Sequence, residues 1–251
     1  MDEPAQRAEE RRPAFYALRS GGWRDYWTLL HPPYTAWHLS YVAIGATAAP
    51  VFDGGRLGAT VLAFFLGVGL TAHALDELRG RPLQTGISSA VLKAIAWVGL
   101  AGAVAIGVVG AIEVSWWLIA FVAFGAFIVV AYNLELADGL FHTDLWFALA
   151  WGAFPSITAS FAQSKRITLA EVLVAAACML LSAAQRTLST PVRALRRKAI
   201  EVSGEVRYAD GVTRPIDDAY IRHAPERALR TLSLALPILA LGLVLFRLRW
   251  P

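Results

Sequence analysis

Long apolar runs constrain this chain more than any other feature. Stretches near 34–51, 57–75, 87–111, 115–134, 145–162, 168–188 and 229–247 approach or reach the roughly 20 residues needed to cross a bilayer. A soluble core of this size would break such runs into shorter amphipathic pieces. With 57% hydrophobic and 17% charged residues in 251, the composition agrees. The sequence therefore predicts an all-α polytopic membrane protein, integral and multi-pass, with about seven transmembrane helices. No nucleic-acid partner is expected, and membrane lipids are.

The polar segments divide the chain. Residues 1–30 form a polar N-terminal segment in which Trp23, Tyr26, Trp27 and Leu30 recur at helical spacing. Such a helix suits the membrane interface, with its aromatic rings at headgroup level. Five basic and five acidic residues in this segment, with no apolar core, argue against a cleavable signal. Residues 31–190 form a six-span core, 191–228 a basic loop, and 229–251 the last span. In that loop Arg193, Arg196, Arg197 and Lys198 suit anionic headgroups, and Asp210-Gly211 suits a tight hairpin turn. Within the core, Pro155 after Gly152 predicts a kink whose freed backbone groups neighbours must satisfy. Cys178 lies in an apolar run and reads as a small buried hydrophobe.

Counting Lys and Arg by loop gives an orientation. With the N-terminus inside, 17 basic residues fall on the cytoplasmic side and five on the other. The hairpin at 76–86, the acidic turn at 135–144 and the loop after 188 then share the cytoplasmic face.

Three clusters on that face can carry chemistry. The first is Thr71–Ser89, TAHALDELRGRPLQTGISS, where His73 and Asp76 share a helix face and Glu77 points about 100° away. Asp76 and Glu77 beside Arg79 and Arg81 can hold magnesium against a phosphorylated ligand. The plainer reading is an interfacial helix cap whose charges are solvated or paired with each other. The second holds Tyr132, Asn133, Glu135, Asp138, His142 and Asp144, with Tyr132, Glu135 and Asp138 on one face if the helix continues. A solvated acidic turn is the plainer reading there, and one histidine with carboxylates is a weak metal site. The third is Ser182, Gln185, Arg186 and Ser189 at the end of the sixth run. No Ser-His-Asp pattern, phosphate loop or zinc spacing stands out.

Three stretches together resemble the UbiA superfamily of intramembrane prenyltransferases. LLHPPYTAWHLSYVAIGATAAP is similar to that family's opening helix, with His31 where arginine is common. TAHALDELRGRPLQTGIS is similar to its first aspartate-rich motif, and YNLELADGLFHTDLWFALAWGAFPSITASFA to its fourth-to-fifth helix region. The resemblance covers about residues 29–190. It implies a UbiA-like bundle whose aspartate-rich motifs, after the second and sixth helices, bind magnesium and a polyprenyl diphosphate. By that resemblance His73 stands where asparagine is usual, Asp76 at the next carboxylate, and Glu77 alone represents the later aspartate. The second motif reads Gln185-Arg186-Thr187-Leu188-Ser189, without a carboxylate, and the family usually has nine spans against seven runs here.

The function expected from the resemblance is transfer of a prenyl or related group from an isoprenoid phosphate to an acceptor at a cytoplasm-facing cavity. His73, Asp76 and Glu77 would be catalytic, with Asp76 and Glu77 holding Mg2+. Arg79, Arg81, Tyr132, Asn133, Gln185 and Arg186 would bind substrate. The alternative is a non-catalytic lipid-binding or scaffold subunit with a partner in a membrane complex.

Overall fold

A computed structural model describes residues 12–249. Its helices are α1 (Trp23–Leu29), α2 (Pro32–Ala48), α3 (Gly54–Leu78), α4 (Ser89–Glu113), α5 (Leu118–Asn133), α6 (Asp144–Ser164), α7 (Leu169–Arg197) and α8 (Asp218–Arg249). Among the described residues α3, α4, α6, α7 and α8 are long and apolar enough to cross a membrane. The runs expected as first and fourth spans form the shorter α2 and α5, of 17 and 16 residues.

Helix starts follow local chemistry. Pro32 and Pro33 open α2, where a missing N–H costs nothing. Asp53 caps α3 by accepting from Arg56 N at 2.9 Å, and Thr168 with Glu171 forms a reciprocal capping box at α7. Beyond Leu78 the Arg79–Pro82 turn ends α3, since proline biases the residue before it away from helical geometry.

Helix α2 is the axis of the bundle and packs against α3, α6, α7 and α8. Its Trp37, Tyr41, Val42 and Ala46 have no exposed surface. Small residues bring backbones together around it: Ser160 Oγ donates to Gly45 O at 2.7 Å, joining α6 to α2. At one end of α7 and α8, Arg196 binds Glu226 through both carboxylate oxygens, at 2.5 and 3.0 Å. Arg222 continues the network to Asp218 at 2.7 Å, so the buried charges of the two helices are paired.

Two helices widen into π-helical turns, Phe65–Ala72 in α3 and Leu149–Ala153 in α6. In α3, Thr71 Oγ1 donates to Leu66 O at 2.9 Å within the widened turn, and lies 3.1 Å from Ala96 O on α4. In α6 the cause is Pro155, whose absent N–H orphans the carbonyl four residues earlier. His38 Nδ1–H donates to that carbonyl, Trp151 O, at 2.9 Å. The kink expected at Pro155 is thus resolved as a π turn with a histidine from α2 closing it.

Three local expectations need correction. The basic segment after Pro191 is not loop: α7 continues to Arg197, and the connection to α8 is 198–217. One proline removes a single hydrogen bond from a long helix held on both sides. Tyr132, Glu135 and Asp138 do not share a helical face, because α5 ends at Asn133 and Glu135 and Asp138 turn left-handed (φ 50° and 55°). Asp25, which helical spacing puts on the side of α1 opposite Trp23, Tyr26 and Trp27, is not a solvated residue: it is buried and accepts from Ser20 Oγ at 3.1 Å, whereas those aromatic residues stay exposed. The turn at Asp210-Gly211 does close a hairpin, pairing Glu205–Arg207 (β1) with Thr213–Pro215 (β2).

Candidate functional site

The connections 79–88, 134–143 and 198–217 lie at one end of the bundle, and the site is built just beneath them. Asp76 comes from the last turn of α3, His31 from the start of α2, Tyr132 from the end of α5, and Arg186, Arg193 and Arg197 from α7. The last three recur at spacings of seven and four, which keeps them on one helix face. Residues 13–18 close the cluster from outside, where Arg197 Nε donates to Pro13 O at 3.2 Å and Leu18 N to Thr28 Oγ1 at 3.0 Å.

Two aromatic groups hold the walls. The His31 and His73 rings stack at 4.0 Å, with Tyr16 5.3 Å from His31 and Tyr34 5.4 Å from Tyr16. Opposite, Tyr132 stacks on His142 at 4.4 Å and meets Trp151 at 4.5 Å. Arg186 donates to Tyr132 Oη at 3.0 Å and to Asp144 Oδ1 at 2.8 Å, with its guanidinium 5.2 Å from the Phe147 ring centre. Nδ1 of each of His31, His73 and His142 faces a backbone carbonyl (Leu29, Gly69 and Tyr132), at 2.7, 3.1 and 3.0 Å. Donation there leaves each Nε2 available as an acceptor.

The central observation concerns charges without partners. Asp76 is part-buried and lies in the field of Arg193, Arg197 and His142. Yet it makes no hydrogen bond or ion pair, and neither Arg193 nor Arg197 meets a carboxylate among the described residues. Opposite charges in a low-dielectric setting close into contact unless the helices that carry them are held apart. Here two guanidinium groups that meet no carboxylate and one carboxylate without a hydrogen bond lie in one another's field at the same end of the bundle. Such a charge set suits an anion bearing more than one oxygen.

The structure gathers some of the expected site residues and assigns others to support. His73, Asp76, Tyr132 and Arg186 belong to the cluster. Glu77 is fully buried and holds the following loop: it accepts from Leu83 N at 3.0 Å, Thr85 N at 2.8 Å and Thr85 Oγ1 at 2.9 Å. Arg79 pairs with Glu135 at 2.7 Å, and Arg81 binds Ile87 O at 2.6 Å and Ser89 Oγ at 2.8 Å. Asn133 donates to Val129 O within α5. Gln185 is buried, and its Oε1 has no hydrogen-bond partner. With Glu77 engaged, Asp76 lacks a second acidic ligand. Among the described residues no three His, Cys, Asp or Glu side chains stand together as a metal site. The donor set does not fit a resident magnesium pair.

Nothing in the sequence pattern singles out Tyr16 or Tyr34, whereas Arg193 and Arg197 suit anionic headgroups and Arg193 can also neutralise a phosphate without metal. An aromatic pair flanking the basic stripe of α7 needs the folded N-terminal segment to become visible.

Glu77→Gln tests the loop. Replacing one acceptor by an NH2 group leaves a buried N–H unsatisfied, a local cost of about 1–3 kcal/mol. We expect hydrogen exchange at Leu83 and Thr85 to rise about tenfold or more, with distant helices unchanged. Unchanged exchange would remove the loop-anchoring role.

His31 gives a pH dependence. Burial, then the neighbouring His73, holds its pKa well below the ordinary histidine value; Arg197 and Arg193 push the same way, and the Leu29 carbonyl opposes. Below about pH 6.5 the unfolded chain takes up a proton that the folded site refuses, so stability falls as pH falls. Thermal unfolding in detergent at pH 7.5 and 5 is expected to show this loss, smaller in His31→Asn. Asparagine tolerates the left-handed backbone of this position (φ 48°).

No protein-family model matches the chain, and neither a curated protein nor a solved structure matches it. Fold and site together define a helical membrane protein with a polar, arginine-rich cluster of side chains at one end.

Proposed function

We propose that this chain is a UbiA-like membrane protein that binds an isoprenoid phosphate at the pocket around Asp76 and transfers its prenyl or a related group to an acceptor. The observation that carries this reading is the unpaired trio of Asp76, Arg193 and Arg197 between aromatic walls. In such a transfer the allylic C–O bond to phosphate breaks and the acceptor bonds to the same carbon. Arg193 and Arg197 would stabilise the charge gathering on the departing phosphate, with Arg186 behind them. The faces of Tyr132, Trp151 and Phe147 suit the allylic cation. Asp76 would take the acceptor's proton. The excess of basic residues on the pocket's side favours a cytoplasmic mouth and a cytoplasmic N-terminus, with α2 and α5 completing seven spans in a locally thinned bilayer.

A second reading rests on Glu77, Arg79 and Arg81, whose side chains serve the loop. It makes the chain a non-catalytic lipid-binding or scaffold subunit of a membrane complex. Binding of radiolabelled geranyl diphosphate to purified protein separates the two, measured with and without magnesium and in Asp76→Ala. Saturable binding, with prenyl transfer to a phenolic or alcohol acceptor lost in Asp76→Ala, supports the enzyme. Binding indifferent to Asp76 supports the lipid-binding subunit. Absence of binding in the wild type refutes the isoprenoid-phosphate pocket.

A further inference from the structure

A cavity of about 470 Å³ lies between α3, α4, α5 and α6 and shares Trp151 with the polar cluster. Its walls are almost entirely apolar, and Gly67 leaves space where a larger residue would intrude. Its floor includes Val68, Val129 and Trp151, residues that pack in one layer with Tyr132 of the polar pocket. Ala59, Ala105 and Val109 are exposed along it, so it opens toward the surrounding lipid. Along α4 its lining runs from Leu100 to Glu113, and along α3 from Gly55 to Val68. At 1.5 Å per residue each stretch is about 20 Å long. The hydrocarbon of one leaflet is about 15 Å deep, half of the bilayer core. A cavity of that depth accepts one lipid chain entering from one leaflet.

The mouth carries the specificity. Arg56 and Glu113 line it, and neither has an ion-pair partner among the described residues. Arg56 Nη1 donates to Gln163 O at 2.7 Å, which fixes the guanidinium at the rim and leaves further N–H groups unassigned. Trp116 and Trp117, 69% and 76% exposed, lie three and four residues beyond Glu113 and mark headgroup depth. One anchored cation and one free carboxylate at that depth complement a head that carries both an anion and a cation.

We propose that this cavity is a second binding site, which holds one acyl chain of a phospholipid whose phosphate meets Arg56 and whose primary amine meets Glu113. The site meets the polar cluster at Trp151, and its lipid does not depend on the function assigned there.

The test is native mass spectrometry of the full chain released from nanodiscs of equal phosphatidylethanolamine and phosphatidylglycerol. The wild type is expected to retain one phosphatidylethanolamine in at least tenfold preference. Glu113→Gln, which removes no internal hydrogen bond, should reduce that preference to less than threefold. Gly67→Leu fills the cavity: a Cβ there meets only Ala103 Cβ, at 4.0 Å, so the backbone can accept it. Retention should fall at least tenfold in this variant, with geranyl diphosphate binding at the polar end unchanged. Absence of retained lipid in the wild type, preference for phosphatidylglycerol, or undiminished retention in Gly67→Leu would overturn the proposal. So would loss of geranyl diphosphate binding in a monodisperse Gly67→Leu protein, because the cavity would then belong to the ligand of the polar pocket.

Discussion

Gly45→Leu is expected to yield no monodisperse protein, the largest effect of any single substitution considered. A Cβ at Gly45 would stand 2.1 Å from Ser156 O and 2.6 Å from Ser156 C, both backbone atoms of α6. No side-chain rotation relieves a contact with backbone, so α2 and α6 must move apart. That movement breaks the Ser160 Oγ bond to Gly45 O and displaces the neighbouring His38 bond to Trp151 O. Overpacking alone costs about 1–3 kcal/mol, and two buried polar groups left without partners add about 1–3 kcal/mol each. Against a total stability of about 5–15 kcal/mol that is decisive. Size-exclusion profiles of a fluorescent fusion would read it. A normal profile with unchanged melting temperature would mean that α2 and α6 do not cross at Gly45.

Arg193→Met is expected to weaken binding of an anionic headgroup at the polar pocket by about 10–100-fold. Methionine keeps the apolar stem and removes the charge. Each charge-assisted hydrogen bond contributes about 1.5–3 kcal/mol, and about 1.4 kcal/mol is a factor of ten in Kd. Folding should suffer little, since the one internal hydrogen bond of this guanidinium is a 3.4 Å contact with Thr190 Oγ1. Arg196→Met is the contrast: its guanidinium holds Glu226, so its loss should lower the melting temperature strongly. Equal headgroup affinity in wild type and Arg193→Met, measured by isothermal titration with geranyl diphosphate, would remove the α7 arginines from the site.

The polar pocket shows how far a sequence reaches. Asp76, His73, Tyr132 and Arg186 were legible because charge and aromatic residues at the ends of apolar runs are costly without a purpose. Glu77 was misread for the same reason. Its cost is met by two backbone N–H groups and a hydroxyl of a loop that must first turn back over it. Arg193 was legible as a charge able to meet a phosphate, but its shared helix face with Arg186 and Arg197 was not, because Pro191 suggested a helix end that tertiary packing overrides.

By itself the sequence determined the class of protein, the approximate helix boundaries and the kink at Pro155, all of which depend on local hydrophobicity and backbone chemistry. Tertiary structure decided which carbonyl His38 satisfies, which arginines face Asp76, and where a lipid-sized cavity remains between small residues. Those outcomes depend on the approach of helices distant in sequence, and no local pattern encodes the distance between two backbones.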